Sequence, residues 1–396
     1  MDKAKQTYLN LRASVDQLMR EKDYDIALKK IEKALQNYPE DRSFIFQKAE
    51  ALFLTGDLKK SYDITFNLLK ESPNDIKVLK LCASQQYLFN NLEVNIKLYE
   101  RILKISPKDF NSYIGITNTL IHLNKIEEAI YYSKKGLKIK NDSSELYNNL
   151  IASLILKKEF LEAFEKVKAI EDINPLSQIP PSYGVYLNEQ LKENYQFKYL
   201  TEPYDYIREY NFNNENNDFM KNFNDFILDL PMEWEPKYKT TSNGSQTDSD
   251  LFHTYKDNSE VKTLINFIIK CVEEYREFYK KTEDLYIKKF PNQYSLSAWA
   301  VNLKSSGYQA SHNHSSSWIS GVFYLKVPKN LNEDEGNIKF SKHGYNFPKN
   351  SFVNSNKIIE AREGGLVMFP SSLYHETIPF KSDEDRISIA FDIQSI

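Results

Sequence analysis

Along the first two fifths of the chain, apolar and polar positions repeat with a period of 34 residues. Pro39, Pro73, Pro107 and Pro175 fall on one lattice, and Asn141 fills its vacant node. Ala27, Ser61, Asn95, Ala129 and Ala163 stand twelve residues ahead of the nodes, where helices are expected to cross and a small side chain is wanted; Asn95 fits poorly. Three residues earlier the apolar Tyr24, Leu58, Leu92, Ile126 and Phe160 mark the entry to each second helix, behind short polar turns. Residues 5–172 thus predict about five helix hairpins, an unrelated helical bundle being the alternative. One hairpin cannot bury its apolar face alone, so stacked hairpins share a core and curve into a groove.

The pattern stops after Ile173-Asn174-Pro175, and Ile179-Pro180-Pro181-Ser182 reads as a break, because each proline lacks a backbone donor and restricts its predecessor. This predicts a linker over 173–195 between a helical array, 1–172, and a second domain, 196–396. In that domain Asn243-Gly244-Ser245-Gln246-Thr247 signals a turn. One long helix is expected over Ser259–Thr282, where Val261, Leu264, Ile265, Ile268, Ile269, Val272 and Phe278 recur at helical spacing. The rest consists of short β-type runs broken by Gly, Pro and Asn, the mark of a sandwich or barrel rather than a βαβ fold.

Charge narrows the choice of partners. With 52 basic and 55 acidic residues well mixed, and a net charge of −3, there is no basic field for nucleic acid or an anionic membrane. No eighteen apolar residues run together and none follow Met1–Gln6, so a cytoplasmic protein without a membrane span is expected. Cys82 and Cys271, far apart, predict buried thiols rather than a disulfide or a zinc site.

The candidate chemistry lies in residues 297–396. In an extended strand Arg386, Ser388 and Ala390 share one face, while Ile387, Ile389 and Phe391 share the other. On a solvated face the arginine needs no partner. Facing a barrel interior it needs an anion, and a carboxylate ligand held by the guanidinium and the Ser388 hydroxyl would satisfy it. His312 and His314, also two apart, can project toward one point. His375 follows 63 residues after His312, behind a Gly-Gly turn and an apolar strand, with Arg386 eleven residues further on. Two histidine positions and an anion-binding arginine suit a non-haem iron centre with positions left for a chelating oxo-acid and oxygen. Trp299, Asn302, Trp318 and Tyr324 are candidates for the pocket wall, the alternative for the aromatics being core. His122, His253 and His343 read as packing or surface residues.

Several motifs together resemble a known family: Gly244-Ser245-Gln246-Thr247, Trp299-Ala300-Val301-Asn302-Leu303, Gly307-Tyr308-Gln309, His312-Asn313-His314, Trp318-Ile319-Ser320-Gly321-Val322-Phe323-Tyr324, Phe369-Pro370-Ser371 with His375, and Arg386-Ile387-Ser388-Ile389-Ala390-Phe391-Asp392. They are similar to the 2-oxoglutarate- and Fe(II)-dependent oxygenases found fused to tetratricopeptide repeats in bacteria, and the 34-residue period resembles those repeats. The resemblance implies a multidomain α plus β chain, a tetratricopeptide-repeat solenoid followed by a double-stranded β-helix, or jelly roll. It implies Fe(II) held by His312 and His375, 2-oxoglutarate paired through its distal carboxylate with Arg386 and hydrogen-bonded by Ser388, and molecular oxygen as co-substrate. Asn302 and Tyr324 are expected beside that co-substrate. Two departures concern Ser311 and Ser315, where the family usually carries proline.

A third departure touches the metal. Most such oxygenases have a His-x-Asp pair where this chain has His312 and His314, and no acidic residue stands between Asp284 and Glu333. Either His314 completes a three-histidine face, or it serves as a donor behind the ligands. The implied activity is hydroxylation of a substrate carbon. A concave repeat groove normally holds an extended peptide or a protein, so a peptide or protein substrate is expected. The alternatives are a small-molecule oxygenase whose repeats recruit a partner, and a non-catalytic interaction scaffold.

Overall fold

The 34-residue period is visible in the helix boundaries of the computed structural model, which describes residues 3–191, 198–200, 202–212, 218–237, 239–342, 344, 347–348 and 356–396. The helices are α1 (Lys3–Glu21), α2 (Tyr24–Asn37), α3 (Arg42–Leu54), α4 (Leu58–Glu71), α5 (Ile76–Leu88), α6 (Leu92–Ile105), α7 (Phe110–His122), α8 (Ile126–Leu137), α9 (Ser144–Leu156) and α10 (Phe160–Ile173). The starts of α3, α5, α7 and α9 are set by a second lattice. Asp41, Asp75, Asp109 and Ser143 each place a side-chain oxygen on the free amides of the next turn, at Phe44, at Lys77 and Val78, at Ser112 and at Leu146. Their turns repeat as well: Lys22, Gly56, Asn90, Asn124 and Lys158 have φ of 64°, 89°, 58°, 56° and 64°, the left-handed conformation that lets a chain leave one helix and enter the next.

All five crossing positions are buried. Asn95 fits there because its amide is satisfied: Nδ2 donates to the Ala83 carbonyl at 2.8 Å and Oδ1 accepts from Thr119 at 2.7 Å. Ser61, one period earlier, donates to the corresponding carbonyl of Ala49.

The chain divides into two compact units, Met1–Ser153 and Leu154–Ile396, so the division falls earlier than the expected end of the array at 172. The expected linker over 173–195 is not one where it is described. Residues 179–190 form α11 (Ile179–Gln190), buried from Ile179 to Leu187. Pro180 and Pro181 sit in its first turn, where an amide would have no intrahelical acceptor, so they start this helix instead of breaking it. Tyr186 of α11 donates to the Pro348 carbonyl at 2.9 Å. Residues 192–197 and His343 lie outside the described residues.

The remaining elements are β1 (Arg208–Asn211), α12 (Phe219–Leu228), β2 (Glu233–Trp234), β3 (Thr241–Gln246), α13 (Leu251–Thr254), α14 (Ser259–Tyr279), α15 (Leu285–Lys288), β4 (Tyr294–Gln309), β5 (Ile319–Lys326), β6 (Ile338–Ser341), β7 (Lys357–Ile359), β8 (Gly365–Pro370), β9 (Tyr374–Thr377) and β10 (Arg386–Ser395). Among the described residues the strands make a seven-stranded sheet, ordered β1-β8-β5-β10-β4-β3-β2, and a three-stranded sheet, ordered β7-β6-β9. Every pairing is antiparallel, as in a jelly roll. The turn expected at Asn243-Gly244 is a bulge within β3: the register slips between Ser242 and Gly244, and Asn243 has φ of 47°.

Strand alternation sorts the side chains into two layers. Ile319, Phe323, Leu366, Met368, Ile387, Ile389 and Phe391 pack against Val261, Leu264, Ile268 and Val272 of α14. Val322, Tyr324, Val367 and Phe369 face Ile338, Phe340 and Ile359 of the smaller sheet. Phe278, expected on the buried stripe, is 60% exposed with the Arg208 guanidinium 3.9 Å from its ring centre, while Tyr275 and Tyr279 take the buried places. Among the described residues no helix is long and apolar enough to cross a membrane.

Candidate metal centre and anion pocket

His375 is carried by β9 and paired with Phe340 of β6. His312 follows the long β4, and its backbone exchanges two hydrogen bonds with His375, at 3.1 and 2.9 Å. His314 is fixed through its own amide, which donates to the Ser371 carbonyl at 2.8 Å. The three rings converge, with centroids 5.0 Å (His312–His314), 4.3 Å (His312–His375) and 5.1 Å (His314–His375) apart. One ligating nitrogen from each lies within 4.8 Å of the others, a group able to hold a metal ion.

The Nδ1 partners define which nitrogen is free. His312 Nδ1 meets the Ala310 carbonyl at 2.7 Å and His375 Nδ1 meets the Leu373 carbonyl at 3.1 Å. A carbonyl only accepts, so each Nδ1 carries the proton and each Nε2 keeps its lone pair. His314 Nδ1 meets Asp392 Oδ1 at 2.7 Å. Burial, reinforced by the other histidines, holds the His375 pKa well below its usual value; burial and then His314 lower that of His312 to about 4. Both rings are therefore neutral near pH 7, the state that binds a metal.

Asp392 is a residue beside the site that sequence reasoning did not single out. Its signal was present, since the alternation that groups Arg386, Ser388 and Ala390 continues to position 392. The absence of a carboxylate near His314 in sequence is made good from β10, yet Asp392 lies behind the histidine and outside the metal-binding group.

Arg386 and Ser388 share a cavity with the three histidines, Tyr324 and Ala390, with about 430 Å³ of space free of protein atoms, part of it open to solvent. Arg386 is 2% exposed. Its Nε donates to the Gly336 carbonyl at 2.8 Å, and one terminal nitrogen lies 3.4 Å from Ser388 Oγ. Among the described residues no carboxylate pairs with this guanidinium, and burial lowers its pKa. The Tyr324 hydroxyl, also buried, has the guanidinium as its electrostatic neighbour, with the ring centre 5.0 Å away, and makes no other side-chain hydrogen bond among the described residues. A buried cation with no anion beside it is costly.

Two expected wall residues lie elsewhere. Asn302 shares a strand face with Ala298 and Ala300, which pack into the helix-covered core, and its amide donates to Asp385 at 3.2 Å; it does not line the cavity. Trp318 is core: its ring stacks on Tyr286 at 5.6 Å, and each side chain donates to the other's carbonyl. Trp299 stays near the site, 5.5 Å from the His314 ring. His122 packs near Tyr87, and His253 is exposed on the short α13.

Fold and site together define a chain with tetratricopeptide-like helical repeats and an antiparallel domain whose cavity gathers three histidines and a buried arginine. Residues 297–392 match the model of the family described as "Putative 2OG-Fe(II) oxygenase", a family implying Fe(II) and 2-oxoglutarate. Among curated proteins the chain is similar to mouse (Mus musculus) tetratricopeptide repeat protein 21A, 27% identical over 31% of this chain and 9% of that protein. It is also similar to protein DIA2 of Saccharomyces cerevisiae, 30% identical over 24% of this chain and 14% of that one. The chain thus spans only a small part of these relatives, 9% and 14% of their lengths. Similar solved structures include a tetratricopeptide repeat protein from Parabacteroides merdae (15% identical, TM-score 0.41, 47% of this chain, 73% of that one). Another is MamA from Desulfovibrio magneticus (15% identical, TM-score 0.39, 42% of this chain, 95% of that one).

Proposed function

We propose that the chain is a 2-oxoglutarate- and Fe(II)-dependent oxygenase that hydroxylates a peptide or protein residue. One observation carries this: three histidine rings and a buried guanidinium with no carboxylate partner among the described residues line the same cavity. His312, His314 and His375 would hold the metal. Arg386 would pair with the distal carboxylate of 2-oxoglutarate, with Ser388 and Tyr324 as hydroxyl partners beside it. Bound Fe(II) would supply the activation of oxygen, coupled to decarboxylation of the oxo-acid to succinate.

The protein's share is placement. Arg386 orients the co-substrate by one end, so that its 2-oxo-acid end faces the histidines. The apolar walls, Val322, Ile338 and Phe369, limit water around the metal. The repeats support a peptide or protein as substrate. In the first unit a depression with about 590 Å³ free of protein atoms is lined by Phe53, Tyr87, Tyr99, Gly115 and Asn118 from α3, α5, α6 and α7. Its uncharged aromatic and amide lining suits an extended peptide segment.

The deciding experiment is anaerobic absorption of the protein with Fe(II) and 2-oxoglutarate, followed by succinate release in air. A metal-to-ligand charge-transfer band, lost in His375→Ala and weakened in Arg386→Ala, is expected. No band and no iron retention would leave an interaction scaffold; turnover with small molecules but no peptide would point to a small-molecule oxygenase.

A further inference from the structure

Among the described residues no carboxylate joins the cluster of three imidazoles at the candidate metal centre. A carboxylate stands one ring behind it. Asp392 is 6% exposed, and Oδ1 accepts from His314 Nδ1 at 2.7 Å and from Ser320 Oγ at 2.5 Å. Ser320 Oγ in turn lies 2.9 Å from Ser371 Oγ, and the Ser371 carbonyl accepts from the His314 amide. The ring is thus held at both its side chain and its backbone by one buried group of residues. His312 and His375 differ, since their Nδ1 atoms rest on uncharged carbonyls.

We propose that Asp392 is a positioning residue of the metal centre, fixing the His314 ring with Nε2 toward the metal and making that imidazole a more strongly donating ligand. This rests on the oxygenase reading above. A carboxylate on the remote nitrogen of a metal-bound histidine sets its tautomer and raises its basicity. The fold thus places a negative charge one imidazole behind this ligand position. The Ser320 hydroxyl takes another bond to the same oxygen, which keeps the buried carboxylate satisfied before any metal arrives.

The test titrates the full chain with Co(II), an oxygen-stable probe read by its visible absorption, and compares wild type, Asp392→Asn, Asp392→Ala and Ser320→Ala. Asp392→Ala is expected to bind about 10–100-fold more weakly. Asp392→Asn keeps an acceptor of the same shape and loses the charge. It is expected to bind with a smaller loss, with a shifted Co(II) spectrum and, after iron loading, a more positive Fe(III)/Fe(II) midpoint potential. Ser320→Ala, which removes one of the two donors to Oδ1 and leaves the charge, is expected to bind Co(II) with a smaller loss than Asp392→Ala. Should Asp392→Ala fail to fold, Asp392→Asn decides alone. Wild-type spectrum and potential in Asp392→Asn would overturn the inference while leaving the oxygenase reading intact. Failure of the wild type to bind Co(II) would overturn both.

Discussion

His312 and His375 lie 63 positions apart, yet their backbones form a closed pair of hydrogen bonds, 3.1 and 2.9 Å, that ties the segment after β4 to β9. A metal held by their side chains would fasten the same two segments again. Adding Fe(II) or Co(II) is therefore expected to raise the unfolding temperature of the oxygenase-like unit. Metal at one hundred times Kd corresponds to about 2.7 kcal/mol. Thermal unfolding with metal, and again with a chelator, checks this; an equal rise in His375→Ala would refute it.

Acid should weaken the metal-free protein by a route that the histidines set. The His312 pKa falls from 6.5 in the unfolded chain to about 4 in the folded one, so between these values the unfolded chain binds the extra proton. The contribution of neutral His312 is complete above pH 6.5, declines as pH falls, and is gone below about 4. His375, shifted in the same direction, adds to the slope. Urea midpoints measured across this range should fall with acid, and less steeply in His312→Gln. An unchanged slope in that variant would count against the assignment.

Arg386 invites an opposite pair of effects. Arg386→Met is expected to abolish 2-oxoglutarate binding, measured calorimetrically with metal present. The same change removes a buried guanidinium that no carboxylate neutralises, so metal-free stability should be unchanged or higher, by up to ~2 kcal/mol. A large loss of stability would mean that the Gly336 and Ser388 contacts outweigh the burial of charge.

In the repeats, Asn95→Ala moves the chain toward the small residue usual at that node and is still expected to destabilise. It removes the partner of the Ala83 carbonyl and of the Thr119 hydroxyl in a buried place, at a cost of roughly 1–3 kcal/mol. Denaturant unfolding of the full chain, followed by a helix signal, measures it; a neutral result would show that the Thr119 contact to Gly115 suffices.

Local rules carried much of this structure into the sequence. The prolines and crossing positions located the helices, and the two-residue alternation placed Arg386 and Ser388 on the cavity face. The rules failed where a residue's meaning depends on its place within an element. Pro180 and Pro181 end a helix if internal and favour one at its first turn, and sequence periodicity does not distinguish the two. Gly244 signals a turn, yet here it sits in a bulged strand close to the Asn302 carbonyl. Asn302 was misplaced because its motif said nothing of which face of β4 it occupies. Asp392 escaped because a ligand search along the sequence looks near His314, whereas the sheet brings its partner from β10.

The Arg386 guanidinium, buried with no carboxylate beside it, bears on which metabolite the cavity accepts. On the proposed reading, a monocarboxylic oxo-acid would meet the metal but leave the guanidinium dry and without its anion. Sites built around a polar group of their ligand reject analogues lacking it by roughly 10⁴-fold or more. Pyruvate-like acids, however abundant, should therefore be excluded by what they fail to supply at the far end, with no need for a steric gate.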